Sequence, residues 1–219
     1  MKKIVEFAGL PGSGKTYILE RLQATSPNCC FVNTEDYYSY QKHVSKIILL
    51  FKTICFIAWH VNVLKKIHNL HNPHICIKQY LEILFYLYTY RKVLQKYERY
   101  DTIVFDQGVL QKLWFYFYSN NESVSREQAK TIGMIVKMII PSCVLFKVVY
   151  FDTPIDLAIS RATNRKGDCF ADHLSLEVLN KMYSSAIEDK LLFGEMTQGQ
   201  YMLYCDENDY ETLNVYINN

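Results

Sequence analysis

Residues 9–16 read Gly9-Leu10-Pro11-Gly12-Ser13-Gly14-Lys15-Thr16. The pattern G-x-x-x-x-G-K-T constrains the chain more than any other stretch, because it belongs between a strand and a helix. The flanks agree. Ile4 to Ala8 is an apolar run that predicts a buried strand, and Tyr17 to Leu22 has helical spacing. Gly9, Gly12 and Gly14 allow positive φ and close approach of the backbone to a ligand. Successive N–H groups, those of Pro11's neighbours and Ser13 among them, then form an anion cradle at a helix N-terminus. Lys15 can reach the terminal phosphates of a bound nucleotide, and the Thr16 hydroxyl suits Mg²⁺. A glycine-rich turn with a chance lysine is the bland alternative, and pattern and context together argue against it.

Along the rest of the chain, apolar strands alternate with helical stretches. Strands are predicted at Cys29–Val32, Thr102–Phe105, Leu145–Phe151 and Tyr201–Tyr204. Helices are predicted over 41–70, 75–98, 109–119, 124–140, 155–163 and 174–193, with a short one closing the chain. Pro73 and Pro141 mark breaks. Such alternation argues a parallel sheet covered on both faces. No linker, repeat or low-complexity tract divides the 219 residues, so a single domain is expected over 1–219.

Half the residues are apolar and the formal net charge is +2, which gives no electrostatic case for nucleic-acid binding. The seven cysteines are scattered and lack C-x-x-C spacing, which fits reduced thiols in a cytoplasmic protein. With the loop starting at residue 9, no signal peptide is expected. Ile47–Leu64 holds 14 apolar residues in 18, but Lys52, His60 and Asn62 interrupt it. A central lysine costs roughly 2.5–3.5 kcal/mol on insertion, so a buried helix is expected and no membrane span. An interfacial helix is the minority reading. Nothing in the sequence decides between a monomer and a homodimer.

Open α/β sheets bind ligands at the carboxyl ends of their strands. Acidic residues follow four of the predicted strands: Glu35 and Asp36, Asp106, Asp152, and Asp206. Asp152, before Thr153-Pro154, reads as a turn residue. Asp106, directly after Thr-Ile-Val-Phe, stands where a carboxylate holds Mg²⁺ directly or through water. Glu35 and Asp36 are adjacent and leave their strand in opposite directions, so only one can face the glycine loop. Asp36 is also a good helix N-cap. Arg161 and Arg165 are four apart with Lys166 beside them, and they share a face if helical. Guanidinium groups suit a phosphoryl group in transfer, and a solvated basic helix end is the alternative.

In motif order this chain resembles the thymidylate kinase and deoxynucleoside kinase superfamily of P-loop kinases over nearly its whole length, and only the glycine loop is highly specific. The resemblance implies a P-loop NTPase three-layer sandwich with five parallel strands in order 2-3-1-4-5, a strand order that also obeys the right-handed crossover rule. It implies ATP and Mg²⁺ as cofactors and a small-molecule acceptor, a nucleoside or nucleotide first. Glu35-Asp36-Tyr37-Tyr38 resembles the acidic-x-Tyr-Tyr element of uridine kinases, which makes Glu35 the general base. Residues 39–100 correspond to a helical acceptor-binding region and 156–172 to a LID. Asp206 to Tyr210 resembles, weakly, an acidic loop that borders adenine. One departure stands out. The family places an arginine after the acidic residue that follows strand three, and here that residue is Gln107. The loss of charge favours a neutral hydroxyl acceptor, or one held by another cation such as Arg91 or Arg99. The tyrosines and phenylalanines of 39–100 could stack on an acceptor, though packed core explains most of them. A regulatory nucleotide-binding module, or a kinase of a sugar, nucleotide sugar or antibiotic, are the alternatives. The absence of N-K-x-D and of L-S-G-G-Q argues against a GTPase switch and a transporter ATPase.

Overall fold

The computed structural model describes residues 2–33, 54, 62, 65–66, 77–120, 122–165, 174–197, 199–204 and 209–218. Its strands are β1 (Lys3–Gly9), β2 (Cys29–Val32), β3 (Thr102–Phe105), β4 (Leu145–Phe151) and β5 (Tyr201–Tyr204). They form one sheet in the order β2-β3-β1-β4-β5, with every pairing parallel. This is the predicted strand order. β1 lies at the centre, with Lys3 opposite Thr102 on one side and Leu145 on the other.

Alternation along the strands divides the core in two. Ile4, Ala8, Ile103, Phe105, Val148 and Tyr150 face the larger cluster. That face carries α2 (Ile77–Lys96), α3 (Val109–Tyr118), α4 (Arg126–Ile139), α5 (Ile155–Asn164) and α6 (Leu176–Glu188). Val5, Phe7, Val104, Val149 and Phe151 face the smaller cluster. Here α1 (Lys15–Thr25) supplies Ile18, Leu19 and Leu22, and the last helix supplies Tyr210, Leu213 and Ile217. Helices therefore cover both faces, as a sheet of buried parallel strands requires.

Local chemistry sets several helix ends. Ser125 and Gln128 form a reciprocal capping box at the start of α4. The Ser175 hydroxyl accepts from the Val178 N–H at the start of α6. The helix predicted over 174–193 is broken: α6 ends at Glu188, a 3₁₀ turn covers Asp189–Leu192, and a short helix, α7, covers Phe193–Thr197. Asp189 is the cause. Its carboxylate accepts from Trp114 Nε1 at 2.7 Å and from the Val124 N–H at 2.6 Å, which ties this point of the chain to α3 and to the loop before α4. The final helix, α8, covers Tyr210–Asn218.

Most of the helix predicted over 41–70, and most of the apolar run 47–64, lies outside the described residues. Among the described residues, no helix is long and apolar enough to cross a membrane.

Candidate active site

β1 delivers the glycine loop to the carboxyl edge of the sheet. Gly12 and Gly14 have φ of 84° and 91°, in the left-handed region that side chains disfavour. Gly12 has a second reason to lack a side chain: a Cβ there would lie 2.1 Å from the Ala158 carbonyl oxygen of α5. Gly14 is the N-cap of α1, so the N–H groups of that helix's first turn open toward the loop. The Lys15 ammonium lies in the cradle. It donates to the carbonyl oxygens of Gly9 (2.8 Å) and Leu10 (2.9 Å) and to Ser13 Oγ (3.2 Å).

Three other elements hold the loop in this shape. The Gly9 N–H donates to Gln111 Oε1 of α3 at 2.9 Å, and Gln111 Nε2 donates to the Tyr118 hydroxyl at 2.9 Å. The Thr153 hydroxyl, just past β4, donates to the Ser13 carbonyl at 3.1 Å. The Tyr183 hydroxyl of α6 donates to the Pro11 carbonyl at 2.8 Å. Sequence reasoning missed all three, because each is far from the loop in sequence and of an ordinary residue type.

Asp106 follows β3 and is buried. Its Oδ2 accepts from the Thr16 hydroxyl at 3.3 Å, and its Oδ1 is buried without a hydrogen-bond partner among the described residues. Burial raises its pKa, and Glu20 adds to the rise, while Lys15, the Thr16 hydrogen bond and Arg165 oppose it. A buried carboxylate oxygen with nothing to accept from is what a bound cation would satisfy. The donor set therefore fits Mg²⁺, which Thr16 Oγ1 and Asp106 would hold as hard oxygen ligands. Among the described residues, no group of three or more His, Cys, Asp or Glu side chains could hold a metal ion.

Glu6 also went unread. It sits in the middle of β1, fully buried, and its two oxygens accept from the Val109 N–H (2.9 Å) and Leu110 N–H (3.0 Å) of α3. Burial raises its pKa, and those two bonds and Tyr90 oppose the rise. The first turn of α3 is thus fastened to β1 by Glu6 and to the glycine loop by Gln111. That turn directly follows Asp106-Gln107-Gly108, so it sets where Asp106 points. An acid inside the apolar run Ile4 to Ala8 was the available signal.

Arg161 lies in the last turn of α5, and its Nη1 would be 3.7 Å from a Cβ at Gly14. It therefore stands over the loop. Arg165 does not share a helical face with it. It is the C-cap of α5, in extended backbone at φ −78° and ψ 130°, and its charge acts on Asp106 from there. Asp152 forms an ion pair with Lys190, in keeping with a structural role. Glu35, Asp36, Asp206 and residues 166–172 of the expected LID segment lie outside the described residues. β2 ends at Val32, opposite Phe105, so the chain leaves it beside Asp106.

Gln107 is exposed. Arg91 does not replace the missing charge: with Leu94, Tyr100, Ile103 and Pro141 it lines a cavity of about 210 Å³ at the amino-terminal edge of the sheet, the end away from the glycine loop. Arg99, over the Tyr100 ring, is at the same end. A cation on the loop side is Lys112 of α3. Its Nζ stands 5.7, 5.6 and 5.4 Å from the ring centres of Tyr86, Phe115 and Tyr116, and burial lowers its pKa. Tyr88 and Tyr90 of α2 are buried in the core, in line with the packing reading of the tyrosines.

The sheet order and the helical layers make up the fold also seen in a deoxyadenosine kinase. The deoxyadenosine kinase of M. mycoides solved with bound dATP has a similar fold: the two align over 99% of this chain and 100% of that one, with a TM-score of 0.54 and 14% identity. The same organism's deoxyadenosine kinase solved with dCMP and a flexible dCDP aligns over 98% and 96%, with a TM-score of 0.48 and 15% identity. At such identity the likeness is one of fold. No protein-family model and no curated protein sequence matches the chain.

Proposed function

We propose that this chain is an ATP- and Mg²⁺-dependent small-molecule kinase whose acceptor is a nucleoside or nucleotide. The observation that carries the reading is the meeting of Thr16 and Asp106 at 3.3 Å beside the Lys15 cradle, with Asp106 Oδ1 buried and, among the described residues, unpartnered. The fold shared with deoxyadenosine kinase supports the acceptor class. Thr16 and Asp106 would hold the metal, which when bound offsets charge on the donor's phosphate oxygens. Lys15 exchanges loop carbonyls for those oxygens. Arg161 and Arg165 neutralise the phosphoryl group in transfer. Glu35 accepts the proton of the attacking hydroxyl, with Asp36 as its cap-forming neighbour, and Asp206 borders the donor base. Closure of the LID excludes water and suppresses ATP hydrolysis. A cytoplasmic setting fits a kinase that draws on ATP.

ADP release from ATP tests the reading, measured with and without a panel of nucleosides, deoxynucleosides and monophosphates. At least one should stimulate release saturably. Lys15→Ala should lower turnover at saturating ATP by about a hundredfold or more, with an unchanged melting temperature. ATP binding with no stimulation by any acceptor would put a regulatory nucleotide-binding module in place of the kinase. Stimulation by a sugar or antibiotic alone would move the acceptor class.

A further inference from the structure

We propose that the cavity at the amino-terminal edge of the sheet is a second ligand site, one that takes a small apolar molecule carrying a single carboxylate. The proposal is independent of the nucleotide site, which lies at the opposite edge.

The cavity holds about 210 Å³. Its floor is Ile4 of β1, Ile103 of β3 and Leu94 of α2, all buried. Tyr100 and Val144, both half-buried, line it above them. Lys2, Gln95, Glu98, Pro141 and Cys143 are exposed, so the space opens to solvent. Two connections pass this end of the sheet, one from α2 into β3 and one into β4. The Lys3 N–H donates to the Asp101 carbonyl at 2.8 Å, and the Leu145 N–H donates to the Lys2 carbonyl at 2.9 Å. Both connections are thus fastened to β1, and the gap between them is preformed, as ligand sites commonly are.

The floor selects an apolar body. Three aliphatic side chains give water nothing to bond to, so an apolar group that displaces it gains. An engineered cavity of about 150 Å³ takes benzene, so the body that fits here is somewhat larger. Pockets for drug-sized ligands run to roughly 300–1,000 Å³, so it is still small.

The cations select the head group. The Lys3 ammonium is engaged, donating to the Ile217 carbonyl at 2.7 Å. The Lys2 ammonium donates to the Glu98 carbonyl. Arg91 differs. Its side chain is half-buried, and among the described residues its guanidinium makes no hydrogen bond and no ion pair. Arg91, Leu94, Gln95 and Glu98 recur at helical spacing and share a face, yet Arg91 and Glu98 do not pair. An arginine stem lying along apolar surface is common and by itself says little. Here the side chain borders an open apolar volume, and its donors have no acceptor. A guanidinium pairs with a carboxylate through two parallel hydrogen bonds. Glu98 at the rim opposes a second negative charge, which favours a carboxylate over a phosphate monoester.

Dissociation constants for octanoate, 1-octanol and octylammonium, measured by calorimetry on the full chain, test this. Octanoate should bind between micromolar and millimolar, as suits a ligand of its size. It should bind at least about fivefold more tightly than the alcohol or the amine. Arg91→Gln should weaken octanoate by roughly five- to fiftyfold and leave 1-octanol within about twofold. Lys15→Ala, at the far edge, should bind octanoate as the parent does. Val144→Trp, which fills the cavity, should lose both octanoate and 1-octanol. Melting curves check that it folds, and if it does not, the Arg91→Gln comparison decides alone. Absence of octanoate binding at millimolar concentration overturns the site, as does equal affinity for octanoate and 1-octanol. Unchanged octanoate affinity in Arg91→Gln, or its loss in Lys15→Ala, places the ligand elsewhere and overturns it too. The kinase reading stands under each of these outcomes, because ADP release tests it separately.

Discussion

Glu35 and Asp36 are one peptide bond apart, and the proposed chemistry needs only one of them. The resemblance to the acidic-x-Tyr-Tyr element assigns the base to Glu35 and leaves Asp36 as a cap. Glu35→Gln is then expected to lower turnover by roughly 10²–10⁴, the usual size of a general-base contribution, with nearly unchanged ATP affinity. Asp36→Asn should cost little, because asparagine caps about as well as aspartate. The two variants, assayed side by side, decide. A dead Asp36→Asn beside an active Glu35→Gln shifts the register by one residue, and two active variants remove the proton acceptor from the kinase reading. At this scale the sequence was legible wherever chemistry is local. The glycines, Lys15 and Thr16 lie within eight residues, and their roles follow from strand–loop–helix geometry. Gln111, Tyr183 and Thr153 were not legible, because a hydrogen bond to the Gly9 N–H, the Pro11 carbonyl or the Ser13 carbonyl depends on how distant helices and strands pack. Glu6 was not read: the run Ile4 to Ala8 around it predicted a buried strand, but the acid inside it and its partners in α3 did not enter that reading.

Among the elements, the break after α6 has the clearest physical signature. Burial pushes Asp189 up to about 6, against the pull of its hydrogen bonds from Val124 and Trp114. A carboxyl whose native value exceeds its unfolded value takes up a proton on folding in the interval between them. Its stabilising effect is complete below the ordinary value of 3.8 and is lost as pH rises through about 6. Melting temperatures between pH 4 and 7 should therefore fall across that interval. Asp189→Asn, which removes the titration, should flatten this part of the profile even though it loses an acceptor for Trp114. Parallel pH profiles of the two proteins would rule out the role of Asp189. The same carboxylate explains why helical periodicity over 174–193 misled: the apolar spacing continues through Asp189, but two long-range hydrogen bonds outweigh the i→i−4 ladder there. Arg165 is a similar case. It keeps helical spacing from Arg161, yet α5 stops at Asn164.

For the molecule as a whole, ligand binding should appear as stability. A nucleotide at a hundred times its dissociation constant contributes about 2.7 kcal/mol. For a domain of this size that is a rise of roughly 5–10 °C in melting temperature. The rise should need Mg²⁺ in the parent protein. Asp106→Asn, which keeps the shape and removes the charge, should lose most of the Mg²⁺-dependent part. A Mg²⁺ titration identical in both would make Asp106 a structural residue. The strand order predicted from the resemblance is the observed one, since a P-loop strand followed by right-handed crossovers leaves few other arrangements. The register of that sheet also bears on how the chain is made. β1 leaves the ribosome first, but its two neighbours begin only at Thr102 and Leu145. The central strand must therefore wait, with both hydrogen-bonding edges open, while the residues up to Thr102 and then Leu145 are still being synthesised. The glycine loop at its end cannot take its final shape until Gln111, Thr153 and Tyr183 have all emerged. A nascent chain released before β4 would carry the complete nucleotide-binding motif and an unprotected, aggregation-prone strand beside it.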